Sequence, residues 1–142
     1  MILRSGCPLN IALELVGDKW SLLIIRDLLN NKSTFSEFLQ SNEAIAKNIL
    51  SARLKKLMKF KIVDFSHPKD NNKVKIYFLT KKGQDLYPVM VELMVWIDKY
   101  SSESIISIKG REVLDQIRNN GKDKFVKTKI SNYKLKLEKV VF

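Results

Sequence analysis

Cysteine and histidine are almost absent from this sequence, which contains one residue of each type, Cys7 and His67. A single cysteine excludes a disulfide within the chain and any metal site built from several thiolates. A single histidine argues against a zinc site built from imidazoles, and His67 fits a turn residue better than a catalytic one. The carboxylates show no metal-ligand spacing, and no nucleophile lies at a useful spacing from a base. We therefore expect no catalytic residue, no metal and no cofactor, and we do not expect an enzyme.

Long apolar runs are also missing. No stretch approaches the ~20 apolar residues that a membrane-spanning helix needs. The first ten residues, MILRSGCPLN, lack the apolar core of a signal peptide. The five glycines form no phosphate-binding loop. These absences favour a cytoplasmic protein that is not inserted in a membrane.

Negative charge is missing from one segment in particular. Residues 46–63, AKNILSARLKKLMKFKIV, contain no acidic residue. The basic residues of this segment are Lys47, Arg53, Lys55, Lys56, Lys59 and Lys61. Exposed helices usually mix the two signs, because oppositely charged neighbours stabilise a helix. With a net charge of +11 and a pI near 9.8, the segment predicts a polyanionic partner, nucleic acid ahead of an anionic membrane surface.

The apolar pattern and the turn signals predict mainly helices with one small β-hairpin, an α+β fold of the winged helix-turn-helix type. We predict a short helix over 9–16, a buried helix in KWSLLIIRDLLNN capped by Asp18, a short helix over 35–41 and a basic helix over 45–60. Strands over 62–66 and 73–80 flank the polar turn HPKDNNK and form the hairpin.

The remainder of the chain is predicted to be helical. A long helix begins near Lys81, and Pro88 either kinks it or marks its proper start. Its apolar residues form two rows, so two packing partners are expected; the rows are Leu86, Met90, Leu93 and Ile97, and Val91, Met94 and Val95. REVLDQIRNNG predicts a helix closed by Asn–Gly. Residues 122–142 fit a helix, although the alternation in YKLKLEKV leaves a strand open.

The basic helix has the pattern of a recognition helix for the DNA major groove. A helical wheel places Ala46, Leu50, Leu54, Leu57 and Met58 on the buried side and Asn48, Ser51, Ala52, Lys55, Lys56 and Lys59 on the other. Short polar side chains near the helix start can reach base edges, whereas lysines further along meet phosphates. We predict base contacts by Lys47, Asn48 and Ser51, and phosphate contacts by Lys55, Lys56, Lys59 and Lys73. Arg53 is expected to reach a phosphate or a carboxylate, and Lys69, with Lys75 as a further candidate, extends the hairpin's basic tip.

Several motifs resemble those of the HxlR-type transcriptional regulators, winged-helix proteins related to the MarR group. The resemblance rests on Cys7-Pro8, GDKW at 17–20, Phe35-x-Glu37, the segment from Ile45 to Leu57, the block Tyr77-x-Leu79-Thr80-x-x-Gly83, Leu86-x-Pro88 and Trp96. It implies a homodimer built through the N-terminal helix and the helix after the hairpin. It also implies two recognition helices in successive major grooves. The sequence departs from the family pattern at Lys61, which replaces a glycine, at Phe65, which replaces an arginine, and at the tip KDNN.

Cys7 has two interpretations. Family members sense oxidants or electrophiles through a cysteine near this place, and a helix start favours the thiolate form. The resemblance therefore implies that Cys7 could react, including with Cys7 of the partner subunit. The preferred alternative is an inert cysteine at a packed terminus. Trp20 and Trp96 fit core or interface positions better than ligand contacts.

The sequence thus predicts a winged-helix DNA-binding domain with a dimerisation helix over 7–100 and a helical extension over 101–142 whose role is open. The predicted function is a homodimeric, sequence-specific regulator that binds double-stranded DNA and responds to an oxidant or small-molecule effector. One alternative is a winged-helix module that binds protein or RNA without catalysis. Another is an enzyme or a small-molecule carrier, with the ligand held in the dimer cleft.

Overall fold

The computed structural model of the chain describes residues 1, 3–102 and 104–141. Within them the chain forms eight helices and one two-stranded antiparallel sheet. The elements are α1 (Pro8–Val16), α2 (Ser21–Leu29), α3 (Phe35–Leu39), α4 (Lys47–Lys59), β1 (Val63–Ser66), β2 (Ile76–Leu79), α5 (Lys81–Gln84), α6 (Tyr87–Asp98), α7 (Ile108–Asn120) and α8 (Lys122–Val141). The predicted α+β fold with a single hairpin is confirmed.

The core is built around α2, as its apolar composition predicts. Ile24, Ile25 and Leu28 of this helix are at most 3% exposed. Residues of α4, the hairpin and α6 pack into the same cluster. They include Leu50, Leu54 and Leu57 of α4, Val63 and Leu79 of the hairpin, and Val91 of α6. Since α2 packs against β2 and α8, it presents no broad face to solvent, and the leucines of α4 join the same apolar core.

The predicted long helix after the hairpin is instead two helices. The four-residue helix α5 ends at Gln84, and α6 begins at Tyr87 with Pro88 in its first turn, where proline needs no hydrogen-bond donor. The sequence prediction of one helix from Lys81 is therefore wrong, and the alternative that Pro88 marks the helix start is confirmed. Thr80 caps α5 by accepting a hydrogen bond from the Gly83 amide at 3.2 Å.

Gly83 explains the spacing of the Thr-x-x-Gly motif. A Cβ atom added to Gly83 would lie 2.2 Å from the Ile62 carbonyl oxygen, which is a steric clash with backbone. The Thr80 hydroxyl also donates to the Lys61 carbonyl at 2.7 Å. The motif therefore joins the end of the hairpin to the residues that follow α4.

The C-terminal extension is helical, so the strand alternative for its last residues is wrong. Tyr133 of α8 is 7% exposed, and its hydroxyl accepts a hydrogen bond from the Leu79 amide at 2.8 Å. This contact ties α8 to β2. In the described ranges, no helix is both long and apolar enough to cross a membrane.

Lys61 adopts a left-handed backbone conformation, with a φ of 55°. The Ile62 amide bonds the Leu57 carbonyl and the Lys61 amide bonds the Met58 carbonyl, both at 2.9 Å. This pair of bonds is the Schellman arrangement that usually places glycine at this position. α4 therefore ends in a Schellman motif although glycine is absent, and the backbone of Lys61 is strained by its positive φ.

Replacing Lys61 by glycine should stabilise the fold by about 1 kcal/mol, because glycine adopts positive φ without the Cβ clash. Urea denaturation of Lys61→Gly and the parent chain measures this difference. Lys55→Gly is the control, since glycine inside the same helix should cost about 1 kcal/mol. A Lys61→Gly variant less stable than the parent chain would contradict the assignment of strain.

Candidate nucleic-acid interface

α4 buries one side and presents the other to solvent. Leu50, Leu54 and Leu57 are at most 2% exposed and hold the helix against the core. Met58 is half-buried, whereas Ala46 is exposed. The wheel placed Ala46 on the buried side, which is wrong because Ala46 is the extended N-cap residue and does not follow the helical periodicity.

The predicted contact residues lie at different depths on this surface. The exposed ones are Lys47, Asn48, Lys55, Lys59 and, in the hairpin, Lys73. Ser51 and Lys56 are half-buried, and Ala52, which lies between them in the sequence, is exposed. The structure therefore exposes Lys47, Asn48, Lys55 and Lys59 to solvent along α4, whereas Ser51 and Lys56 are partly covered.

Asp18 anchors α4 to the start of α2. One oxygen, Oδ1, accepts from the Trp20 and Ser21 amides at 3.0 and 2.9 Å and from Arg53 Nε at 3.0 Å. The expected contact of Arg53 with a carboxylate is thus confirmed. The Lys56 ammonium lies 3.7 Å from Oδ2. Lys56 therefore lies beside the same carboxylate as Arg53. The predicted N-cap position of Asp18 is wrong, because α2 begins at Ser21 with Trp20 at the N-cap, and Asp18 bonds the Trp20 and Ser21 amides from the turn before the helix.

The network around Asp18 favours its charged form. Burial alone would raise the pKa of the Asp18 carboxyl, but hydrogen bonds from the Ser21 side chain and from the Trp20 and Ser21 amides, with the charge of Arg53, lower it overall. The side chains of Arg53 and Lys56 are therefore paired with the Asp18 carboxylate. Within the described residues, the ion pairs of α4 are those of Arg53 and Lys56 with this carboxylate.

A second ion pair fixes the segment between α3 and α4. Arg26 of α2 donates two hydrogen bonds to Glu43, at 2.6 and 2.9 Å. Arg26 also bonds Asp27 at 2.8 Å, and Ser41 donates to the same aspartate. The paired guanidinium lowers the pKa of Glu43 to about 2. Arg26 is far from Ser41 and Glu43 in the sequence, so no sequence pattern predicted these contacts.

The pair between Arg26 and Glu43 predicts a pH dependence of stability. The pKa of Glu43 is lowered from 4.5 to about 2, so its contribution is present above pH 4.5 and is lost as the pH falls toward 2. Glu43→Gln should therefore be less stable than the parent chain near neutral pH, by at most about 1 kcal/mol because the pair is partly solvent-exposed. Urea denaturation at several pH values measures the difference, which should shrink in acid. Glu92→Gln, at the exposed pair with Lys122, is the control; a Glu43 effect that is constant with pH would contradict this account.

The hairpin projects a polar tip. Its strands pair from Val63 with Leu79 to Ser66 with Ile76, so β2 is shorter than the predicted 73–80, and Lys73 belongs to the turn. The Asn71 side chain accepts from the Lys73 amide at 3.0 Å, which orders this turn.

The other two lysines of the hairpin, Lys69 and Lys75, differ in their contacts. Lys69 is exposed. The Lys75 ammonium lies 4.4 Å from the centre of the Phe65 ring, a cation–π contact. Phe65, where the family pattern has arginine, therefore holds a lysine in place. The His67 ring nitrogen Nδ1 lies 2.8 Å from the Val74 carbonyl oxygen, as a turn residue would.

A separate apolar surface lies on α1 and α6. In α6 the exposed apolar side chains include Val89, Leu93 at 47%, Trp96 at 59% and Ile97. Leu9 and Leu13 of α1 are exposed as well. The predicted row from Leu86 to Ile97 is not one face, because Met90 is buried whereas Leu93 and Ile97 are exposed. Large exposed apolar side chains are typical of surfaces that bind other proteins.

Cys7 is exposed at the start of α1. It occupies the N-cap position, and its side chain makes no capping hydrogen bond. The alternative of a cysteine packed at the terminus is therefore wrong for the single chain. The exposure leaves the thiol open to reagents and does not by itself give it a role.

The sequence is similar to a family of known proteins over most of its length. The profile of the HxlR-like helix-turn-helix family matches residues 15–105. An HTH-type transcriptional regulator of Mycobacterium tuberculosis H37Rv is 37% identical over 96 residues, which cover 68% of this chain and 60% of that protein. The chain thus spans about three-fifths of the length of this relative. The HTH-type transcriptional regulator YodB of Bacillus subtilis is 33% identical over 98 residues, which cover 68% of this chain and 88% of YodB.

Solved structures show the same arrangement of helices and hairpin. PA1607 superposes with a TM-score of 0.65 at 34% identity, covering 73% of this chain and 72% of that one. The reduced form of YodB superposes with a TM-score of 0.58 at 33% identity, covering 69% of this chain and 97% of YodB. YodB has also been solved with a bound quinone and after diamide treatment. The winged helix-turn-helix fold is therefore shared.

Proposed function

Because the chain belongs to the HxlR-like helix-turn-helix family of transcriptional regulators, we propose that it regulates transcription by binding a promoter-proximal DNA site as a homodimer. The observation that carries the proposal is the solvent-facing side of α4, where Lys47, Lys55 and Lys59 are exposed. Phosphates supply the negative charge that this segment lacks. A regulator of this kind must reach the chromosome, so we propose that the protein is cytoplasmic.

The residues of α4 and the hairpin divide into two kinds of contact. Asn48, at the helix start, suits the N6 and N7 edge of adenine, and Ser51 and Lys47 lie within the same turns. Lys55 and Lys59 lie further along and suit phosphates, which position the protein without reading sequence. Lys73 and Lys69 at the hairpin tip would meet the flanking backbone. Lys56 contributes less, because it already lies beside Asp18.

The proposed dimer uses the apolar side chains of α1 and α6. Exposed apolar residues of this size on both helices are what a two-fold interface would bury. A symmetric pair would place two copies of α4 about 34 Å apart, in successive major grooves of a pseudo-palindromic site. This arrangement requires no catalysis, and the proposal includes none.

Selection of bound genomic fragments, followed by affinity measurements at several salt concentrations, tests the proposal. A DNA-binding dimer should recover a common motif, and log affinity should fall with log salt by about 0.9 for every phosphate contact. A module that binds only protein should recover no motif and show little salt dependence. Binding of RNA in preference to duplex DNA would favour the RNA alternative.

We further propose Cys7 as the position that responds to oxidants, supported by its exposure and by the diamide-treated and quinone-bound forms of YodB. Diamide would take two electrons and two protons from Cys7 and Cys7 of the partner subunit, forming one disulfide. DNA affinity should then change by about 5- to 150-fold, the usual range of coupling between sites. Gel-shift titration of the parent chain and Cys7→Ser measures this change, and an equal response of Cys7→Ser would contradict the proposal.

A further inference from the structure

A cavity of about 200 Å³ lies between α8, β2 and the turn that joins α2 to α3. Its walls are mainly apolar and include Leu28, Ile76, Tyr77, Tyr133 and Leu137. An apolar protein cavity of roughly 150 Å³ is enough to hold benzene. The volume therefore admits a ligand with one or two fused rings.

Hydrogen bonds between the surrounding elements hold the walls of this cavity in place. The Tyr77 amide donates to the Ser33 carbonyl at 2.7 Å, which joins β2 to the turn before α3. The Tyr133 hydroxyl accepts from the Leu79 amide at 2.8 Å, which joins α8 to β2. Because the walls are already ordered, a ligand would pay little entropy to organise them.

The polar part of the cavity is positively charged. Lys32, Lys136 and Lys139 line it, and no acidic residue lines it among the described residues. Lys32 is already engaged, since its ammonium bonds Ser41 at 2.7 Å and lies 3.6 Å from Asp27. Lys136 and Lys139 form no ion pair within the part of the chain that the structure describes. The two remaining lysines therefore lack a counter-charge beside an apolar cavity.

The region around these lysines carries an excess of positive charge. Burial, followed by the charges of Lys136 and Lys109, lowers the pKa of Lys129 on the same helix. On α8, Lys136 and Lys139 are three residues apart, as are Leu137 and Val140, so the cationic and apolar side chains lie on neighbouring stripes of the helix. An anion with an apolar body matches both stripes at once.

We propose that this cavity is a binding site for an apolar carboxylate, with the ring or chain inside and the carboxylate at Lys136 and Lys139. Much of the site belongs to α8, which lies beyond residues 15–105, the range that the family profile matches. The site therefore gives the C-terminal extension a role of its own. Ligand binding is independent of the proposed DNA binding, and it can be measured without DNA.

Calorimetric titration of the full chain with 2-naphthoate tests the site. We expect saturable binding with one ligand per chain, and binding of the neutral analogue 2-naphthylmethanol that is at least about tenfold weaker, since charge-assisted hydrogen bonds are lost. Absence of saturable binding, as would follow if a second copy of the chain covered the cavity, would overturn the proposal. Equal affinity for the two compounds would also overturn it.

Three variants locate the ligand within the chain. Lys136→Met with Lys139→Met should remove the preference for the carboxylate, whereas Lys127→Met with Lys134→Met makes the same change of charge on α8 away from the cavity and should keep it. Leu137→Trp should fill the cavity and abolish binding of both compounds. Thermal unfolding by circular dichroism checks that each variant folds. Unchanged binding of 2-naphthoate by a folded Leu137→Trp chain would place the ligand elsewhere and overturn the proposal.

Discussion

Replacing Lys55 and Lys59 by methionine is expected to weaken binding to every duplex sequence, on the order of tenfold to a hundredfold near physiological salt. Both side chains are exposed on the solvent-facing side of α4. In a dimer the double variant removes four ammonium groups, so the slope of log affinity against log salt should become shallower by about 3.6. Methionine keeps most of the apolar stem and the helix propensity of lysine, so α4 itself should persist.

Two controls separate contact from net charge. Lys124→Met with Lys127→Met makes the same change of charge on α8 and should leave most of the slope unchanged. Asn48→Ala should keep the salt slope but lose about 1–3 kcal/mol of discrimination at one base pair. Fluorescence anisotropy with one matched and one scrambled duplex measures all three. An equal loss in the α8 variant would mean that overall charge, and not the face of α4, attracts DNA.

The second large effect is expected at the apolar surface of α6. Leu93→Glu with Trp96→Glu places two charges among side chains that the proposed dimer buries, and an unpaired charge in such an interface costs several kcal/mol. The chain should become a monomer at micromolar concentration. Affinity for the full DNA site should fall by at least about a hundredfold, because one recognition helix remains in place of two.

This substitution should leave the fold of the single chain intact. Leu93 and Trp96 are 47% and 59% exposed, so the core loses little. Leu135→Glu is the matched control, since Leu135 is also 59% exposed but lies on α8. Sedimentation equilibrium gives the oligomeric state of each variant. A Leu93 and Trp96 variant that still dimerises, or a monomer that binds the full site with parental affinity, would exclude this interface.

Sequence patterns predicted the elements that local signals define. The apolar residues of α2, the helical spacing of Leu50, Leu54 and Leu57, and the polar turn of the hairpin each depend on neighbouring residues alone. The role of Arg53 followed from its apolar surroundings and its length. These local features predict the fold class and, except at Ala46, the buried side of α4.

Other features depend on residues that are distant in sequence. The pair between Arg26 and Glu43 and the position of Lys56 beside Asp18 arise only when α2, α3 and α4 pack together. The apolar pattern continues through the break between α5 and α6, so the sequence alone left open whether Pro88 kinks one long helix or begins a second one. Lys61 has a left-handed backbone conformation, with a φ of 55°. The intrinsic preference of lysine opposes this conformation, so the surrounding structure must stabilise it.

In the proposed complex, two copies of α4 enter successive major grooves of one DNA site. Hydroxyl-radical footprinting on a selected genomic fragment measures this arrangement. We expect two protected patches related by two-fold symmetry, about 10 base pairs apart on one side of the duplex, with methylation interference at major-groove positions inside each. A single unsymmetric patch, or protection that is insensitive to modification of the major groove, would contradict it.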